Sequence, residues 1–207
     1  MKNKGMNIHS AMNGGEMMNV TANKRDNILK AALILFAERG YDGTTVPMIA
    51  DTAEVGAGTI YRYFANKETL VNVLFQECVK RFAETVRQGY PDSGSIREQF
   101  GHVFRGMVRF AKEHIHELYF IDTHSNARYL DGESRETFRH LMDFLHSYAA
   151  TGKEQGIIKD LPSDALIAIV FGAFTKIYTL IRAGKLQETP ELLAEIEESC
   201  WDAVRKV

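Results

Sequence analysis

Apolar residues recur along this chain with the period of an α-helix, almost from end to end. Ile28, Ala31, Ala32, Leu35 and Phe36 share one face of a helix that the pattern places from Asn23 to Arg39. Asn23, with Asp26 three positions on, is a start signal, and Gly40 stands just past the end. Ile49, Ala50 and Ala53 predict a short second helix, capped by Thr45, with Pro47 in its first turn where a missing N–H costs little. A third helix starts near Ala57 and buries Ile60 and Phe64, one turn apart. Asn66 caps a long fourth helix carrying Leu70, Val73, Leu74, Val79 and Phe82, which Gly89-Tyr90-Pro91 ends.

From Ser95 onward the pattern stays helical and shows no strand-like alternation. Ser95 with Glu98 reads as a capping box for a helix through Phe100, Val103, Phe104, Met107 and Ala111. A shorter helix covers Ile115 to Arg128, and Asp131-Gly132 breaks the chain after it. Phe138, Leu141, Met142, Leu145 and Tyr148 carry the next to about Gln155, with Gly156 as its stop. The last two run from Asp164 to Ala183, closed by Gly184, and from Glu191 to Lys206, opened by Thr189-Pro190. The sequence thus predicts an all-α protein of about nine helices without internal repeats.

The second and third helices carry the most information. Only Glu54-Val55-Gly56 separates them, and Ala50 and Ala53 are small enough for a close approach. With Ile60 and Phe64 turned inward, Thr59, Tyr61, Arg62 and Tyr63 are left to face outward. Such a helix-turn-helix lays its second helix in the major groove of DNA.

Residues 24–70 resemble the N-terminal domain of the tetracycline-repressor (TetR) family of bacterial transcription factors. The matching stretches are Ile28-Leu29-Lys30-Ala31-Ala32-Leu33 and Leu35-Phe36-Ala37-Glu38-Arg39-Gly40-Tyr41-Asp42-Gly43-Thr44-Thr45-Val46. They continue with Ile49-Ala50, Val55-Gly56-Ala57-Gly58-Thr59-Ile60-Tyr61-Arg62-Tyr63-Phe64 and Asn66-Lys67-Glu68-Thr69-Leu70. Two departures stand out. Glu54 occupies a turn position where the family often has Gly, so a non-Gly residue is expected at positive φ there. Gly56-Ala57 replaces a frequent Ser-Lys, which removes a hydroxyl and a cation that often reach phosphate. The resemblance implies a three-helix DNA-binding domain over 23–70; residues 1–22, with five of the eight Met and scattered Asn and Gly, read as a mobile tail in which Met17-Met18 offers an alternative start. The fourth helix continues to about residue 88 as a connector, and residues 71–207 form a helical ligand-binding and dimerisation domain.

The expected contacts with double-stranded DNA follow from side-chain chemistry as well as from the resemblance. The fork of Arg62 can bond both acceptors of a guanine edge. Thr59 and the methylene of Gly58 lie at the helix start, and Tyr61 and Tyr63 offer hydroxyls to phosphate. Lys67, at the N-terminus of the fourth helix, makes another anion site, and Thr44 and Thr45 do the same at the second helix. The alternative is that the two Tyr pack on a neighbouring helix. One recognition helix reads too few base pairs for useful specificity, so a symmetric dimer on a palindrome is expected.

Small and branched residues mark the last two helices as a candidate dimer surface: Ala165, Ala168, Ile169, Gly172, Ala173 and Ile177, with Leu193, Ile196 and Trp201. The same residues would also suit packing within one subunit. The resemblance further implies a small-molecule effector, apolar or aromatic, that releases the DNA. Candidates for its pocket are Phe100, Phe104, Met107, Phe110, Tyr119, Phe120, Phe138, Met142 and Tyr178, residue types that equally build ordinary core.

Composition narrows the remaining options. The chain has 207 residues, 45% of them hydrophobic, and a net charge of −2. Residues 1–70 hold eight Lys or Arg against seven Asp or Glu, so DNA binding rests on the motif and not on charge. Cys78 and Cys200 fit no redox or metal spacing, in keeping with a cytoplasmic protein. The apolar stretch from Ala165 to Phe174 is short for a membrane span, and Lys176 follows it. No nucleophile–base pair, phosphate loop or cofactor fingerprint points to an enzyme or a bound cofactor. Six of the seven His lie between 102 and 146, which raises a metal-responsive alternative. Against it, His114 and His116 would point about 200° apart on a helix, and no His pair has i, i+4 spacing, so no metal ligands are assigned.

Overall fold

A computed structural model describes residues 14–207, with side chains from Lys24 onward. Nine helices occur among the described residues: α1 (Gly14–Arg39), α2 (Val46–Thr52), α3 (Ala57–Tyr63), α4 (Lys67–Arg87), α5 (Ile96–Glu113), α6 (Ile115–His124), α7 (Gly132–Glu154), α8 (Ser163–Arg182) and α9 (Pro190–Val204). Pairing of extended backbone among them is confined to one isolated antiparallel bridge, Ile158 with Arg205. The chain divides into two compact units, one ending at Lys67 and the other running Glu68–Val207.

The helix ends follow the local chemistry. Thr45 caps α2, its hydroxyl accepting from Met48 N at 3.5 Å. Ser95 and Glu98 form the reciprocal capping box of α5, with bonds of 2.7 and 3.2 Å. Thr189 accepts from Leu192 N at the start of α9, and Asp131 caps α7 through Ser134 N. Gly40 and Gly156 sit at φ of 69° and 70°, the left-handed geometry that terminates a helix.

Two bounds differ from expectation. α1 begins at Gly14 and not at Asn23, because no Gly or Pro interrupts residues 16–39 and Asn costs little inside a helix. The expected tail therefore lies outside the described residues over 1–13 and is helical over 14–22. The apolar stretch of α8 is also longer than Ala165–Phe174. Ser163–Arg182 is 20 residues, long and apolar enough by composition to cross a membrane, and little of it is buried.

The first unit packs Ile28, Phe36, Ile49, Ile60 and Phe64 into its core. In the second, aromatic side chains dominate: Phe82 meets Phe110 edge-on at 5.0 Å, and Phe104 meets Phe174 at 5.6 Å. A polar clamp crosses this core. Asn72 on α4 donates to the carbonyls of Tyr129 and Glu68, both at 2.9 Å. Its Oδ1 accepts from Asp131 N and from the Ser134 hydroxyl, at 2.9 and 2.7 Å. Every polar atom of this buried amide is satisfied, which ties α4 to the start of α7.

Candidate nucleic-acid interface and effector cavity

The reading head is built from the turn outward. Buried Val46, Ile49 and Ala50 fix α2, and Val55 N closes its end by bonding Ala50 O at 3.0 Å. Glu54 carries a φ of 54°, the strained position expected from the missing Gly. Gly56 caps α3 through its carbonyl, which accepts from Thr59 N at 2.8 Å. With Ile60 and Phe64 buried, Tyr61 is 55% exposed and Arg62 is exposed beside it. Thr59 and Tyr63 are half-buried, and the Arg62 guanidinium lies 5.4 Å from the Tyr63 ring centroid. Gly58 is exposed with nothing within 4 Å of a built Cβ, so a groove wall could approach its backbone closely.

The residues flanking α3 divide into two kinds. Thr45 is exposed at the start of α2. Thr44, expected at the interface, is withdrawn from it: the residue is 0% exposed, and its hydroxyl lies 2.8 Å from Gly40 O and 3.1 Å from Leu35 O. A buried hydroxyl beside free carbonyls satisfies them first. Lys67 is half-buried and is spent largely on the fold. Its ammonium donates to Tyr41 O at 2.9 Å and Thr44 O at 3.0 Å, and sits 3.9 Å from the Tyr41 ring centroid.

In the second unit a cavity of about 130 Å³ lies among α4, α5, α6, α7 and α8. Phe100, Phe104, Met107, Phe138 and Met142 line it as expected. Phe110, Tyr119, Phe120 and Tyr178 do not. Phe110 packs on Phe82, and Phe120 on Phe75 and His124. The hydroxyl of Tyr119 bonds that of Thr179, and Tyr178 packs at a tilt on Phe174. Helical spacing alone does not separate the cavity face from the neighbouring core face. Phe82 and Val86 of α4 and Phe171 of α8 also line it; of these only Phe82 stood out in the apolar pattern, and their convergence needs the tertiary fold. The polar contribution comes from Asp122, Ser125 and Tyr148.

On α8, Ala168, Ile169, Gly172 and Ala173 are exposed, Ile169 to 40%, while Ala165 and Ile177 are half-buried. Leu193 and Ile196 on α9 are half-buried too. Trp201 is not part of that face. Only 7% exposed, it packs on Phe100 at 5.3 Å with the Arg97 guanidinium 5.6 Å away, because the period of α9 turns it inward. His114, His140 and His146 each pair with a carboxylate of their own, Glu117, Glu136 and Asp164. Among the described residues no three metal-ligating side chains gather.

Comparison with known proteins settles the family. The profile of bacterial regulatory proteins of the tetR family matches residues 28–74, and that of the tetracyclin repressor-like C-terminal domain matches residues 75–206. The chain belongs to the TetR family of transcription regulators. Among relatives of this TetR protein, the HTH-type regulator YhgD of Bacillus subtilis is 30% identical over 46% of the chain and 50% of its own length. The negative regulator of the biofilm operon icaADBC in Staphylococcus epidermidis, IcaR, is 25% identical over 59% of the chain and 65% of its own length. The chain therefore spans about half to two thirds of these curated relatives. A solved TetR-family structure from Vibrio parahaemolyticus is 29% identical, with a TM-score of 0.71 over 89% of this chain and 99% of its own.

Proposed function

We propose that this TetR protein is a cytoplasmic homodimeric repressor that reads a palindromic operator and lets go of it when a small apolar or aromatic molecule occupies the second unit. The observation that carries the reading is the continuity of α4. Its first residue, Lys67, is bonded to the Tyr41 and Thr44 carbonyls of the reading head, and the same helix supplies Phe82 and Val86 to the cavity wall. A cavity of about 130 Å³ is close to the ~150 Å³ that accepts benzene. A larger guest displaces Phe82 and Val86, and these belong to the helix whose first residue, Lys67, is bonded to carbonyls of the first unit. Ligand binding then acts by favouring one of two arrangements of α4. The sign of regulation is supported by IcaR, itself a negative regulator.

Tyr61, Arg62, Thr59, Tyr63, Thr45 and the Gly58 backbone are assigned to DNA. The exposed apolar face of α8, with α9, is assigned to the partner copy in a four-helix arrangement. Selection of bound sequences from a random duplex pool with the full-length protein tests the reading. A palindromic consensus is expected; a non-palindromic consensus or none overturns the dimeric reader.

A further inference from the structure

The effector cavity is chemically lopsided. Its 21 lining residues include five Phe (Phe82, Phe100, Phe104, Phe138 and Phe171) and no Lys, Arg or His. One ionisable acid is present, Asp122, an exposed residue whose carboxyl is partly buried. None of the ion pairs among the described residues involves Asp122. Its carboxyl is pushed above the usual range by burial, with no neighbouring charge contributing. Asp122 also belongs to the last turn of α6 (Ile115–His124), where the helix dipole is negative. The Ser125 hydroxyl at that end points to Asp122 O at 3.5 Å, and the Tyr148 hydroxyl is occupied by Ile96 O at 3.2 Å.

Taking the cavity as the effector site, as the reading above does, we propose that it selects a hydrophobic cation: a single-ring or short-chain amine whose ammonium faces Asp122 and whose apolar part lies among the phenylalanines. Three features favour a positive head group: the Asp122 carboxyl, which joins none of the ion pairs, the helix C-terminus on which it sits, and phenylalanine rings, whose faces attract cations. A carboxylate or phosphate ligand would meet the same three features as repulsion, with no basic side chain in the wall to offset it.

The single tryptophan, Trp201, packs on Phe100 of the cavity wall, so its fluorescence reports occupancy. The test titrates the full-length protein with protonated 2-phenylethylamine, propylbenzene and 3-phenylpropionate, which share a ring and differ in charge. The cation is expected to bind at least about tenfold more tightly than the other two, given the strength of a partly screened charge pair. Asp122→Asn, at an exposed position where folding is readily checked by circular dichroism, is expected to reduce the preference to within about twofold. Equal or tighter binding of the anion or the hydrocarbon, an unchanged preference in Asp122→Asn, or no binding of the cation overturns the assignment. Anisotropy of a labelled operator, read with the same ligands, separates the two ideas. Cation binding without loss of DNA sinks the release mechanism and leaves the ligand class standing. Release by propylbenzene alone does the reverse.

Discussion

At the scale of single residues, the reading head separates exposed side chains, which we assign to DNA, from those that hold the head together. Arg62 is exposed and touches mainly the Tyr63 ring, so its removal should leave the fold intact. Arg62→Ala is expected to cost about 1–3 kcal/mol of specific binding and little non-specific binding, measured by competition between operator and scrambled duplexes. Lys67→Ala should behave differently, because it leaves two carbonyls and a ring without their cation. Loss of roughly 2 kcal/mol of stability is expected, seen as a lowered Tm without DNA; an unchanged Tm would return Lys67 to a purely DNA-facing role. His124 makes a second separation. It is buried against Phe120, and burial holds its imidazole below the usual 6.5 although a hydrogen bond to the Phe120 backbone opposes this. The folded protein thus keeps His124 neutral where the unfolded chain takes up a proton. Its contribution to stability is full above pH 6.5 and is lost as pH falls from there toward the folded-state value. The difference in stability between the wild type and His124→Gln should shrink over that window, and a pH-independent difference would contradict it.

Elements were legible to different degrees, for reasons that lie in the range of the interactions that fix them. The caps at Thr45, Ser95 and Thr189 and the stop at Gly40 are settled within four residues of chain, and they stand where the sequence put them. The buried pair Ile60 and Phe64 left the exposed face of α3 readable in the same way. Thr44 was misread because a hydroxyl beside a helix start looks alike whether it meets phosphate or a buried carbonyl nine residues back. Phe110 and Phe120 were misplaced because cavity and core present identical side chains, and the difference lies in which helices converge. The Asn72 clamp was invisible, since all its partners but Glu68 lie 57 to 62 residues away. That clamp can be tested directly. Asn72→Ala removes four bonds and leaves the Asp131 N–H and the Tyr129 carbonyl without the amide, while the Ser134 hydroxyl keeps Gln76, so a loss of about 2 kcal/mol is expected in chemical denaturation. A loss below about 1 kcal/mol would mean that water replaces the amide.

For the molecule as a whole, the decisive question is what covers α8. A helix so apolar, with little of its length buried, leaves an apolar face that a folded subunit does not itself satisfy. Its exposed residues, Ala168, Ile169, Gly172 and Ala173, are small or branched and admit a second helix at close range. A membrane would cover the same face without regard to shape, whereas a partner copy requires the small residues at their own positions. Gly172 distinguishes the two. Nothing lies within 4 Å of a Cβ built there, so Gly172→Glu can be accommodated within the subunit and should leave its Tm nearly unchanged. Placed in a two-fold interface, the same charge meets its own copy in a dry contact. Sedimentation at micromolar concentration is expected to show a dimer for the wild type and a monomer for Gly172→Glu, with the variant's operator affinity falling to that of an isolated half-site. Trp201→Ala should do the opposite, lowering stability through its packing on Phe100 before it touches association. A dimer that survives Gly172→Glu would place the interface elsewhere on the second unit, with α3 still assigned to DNA.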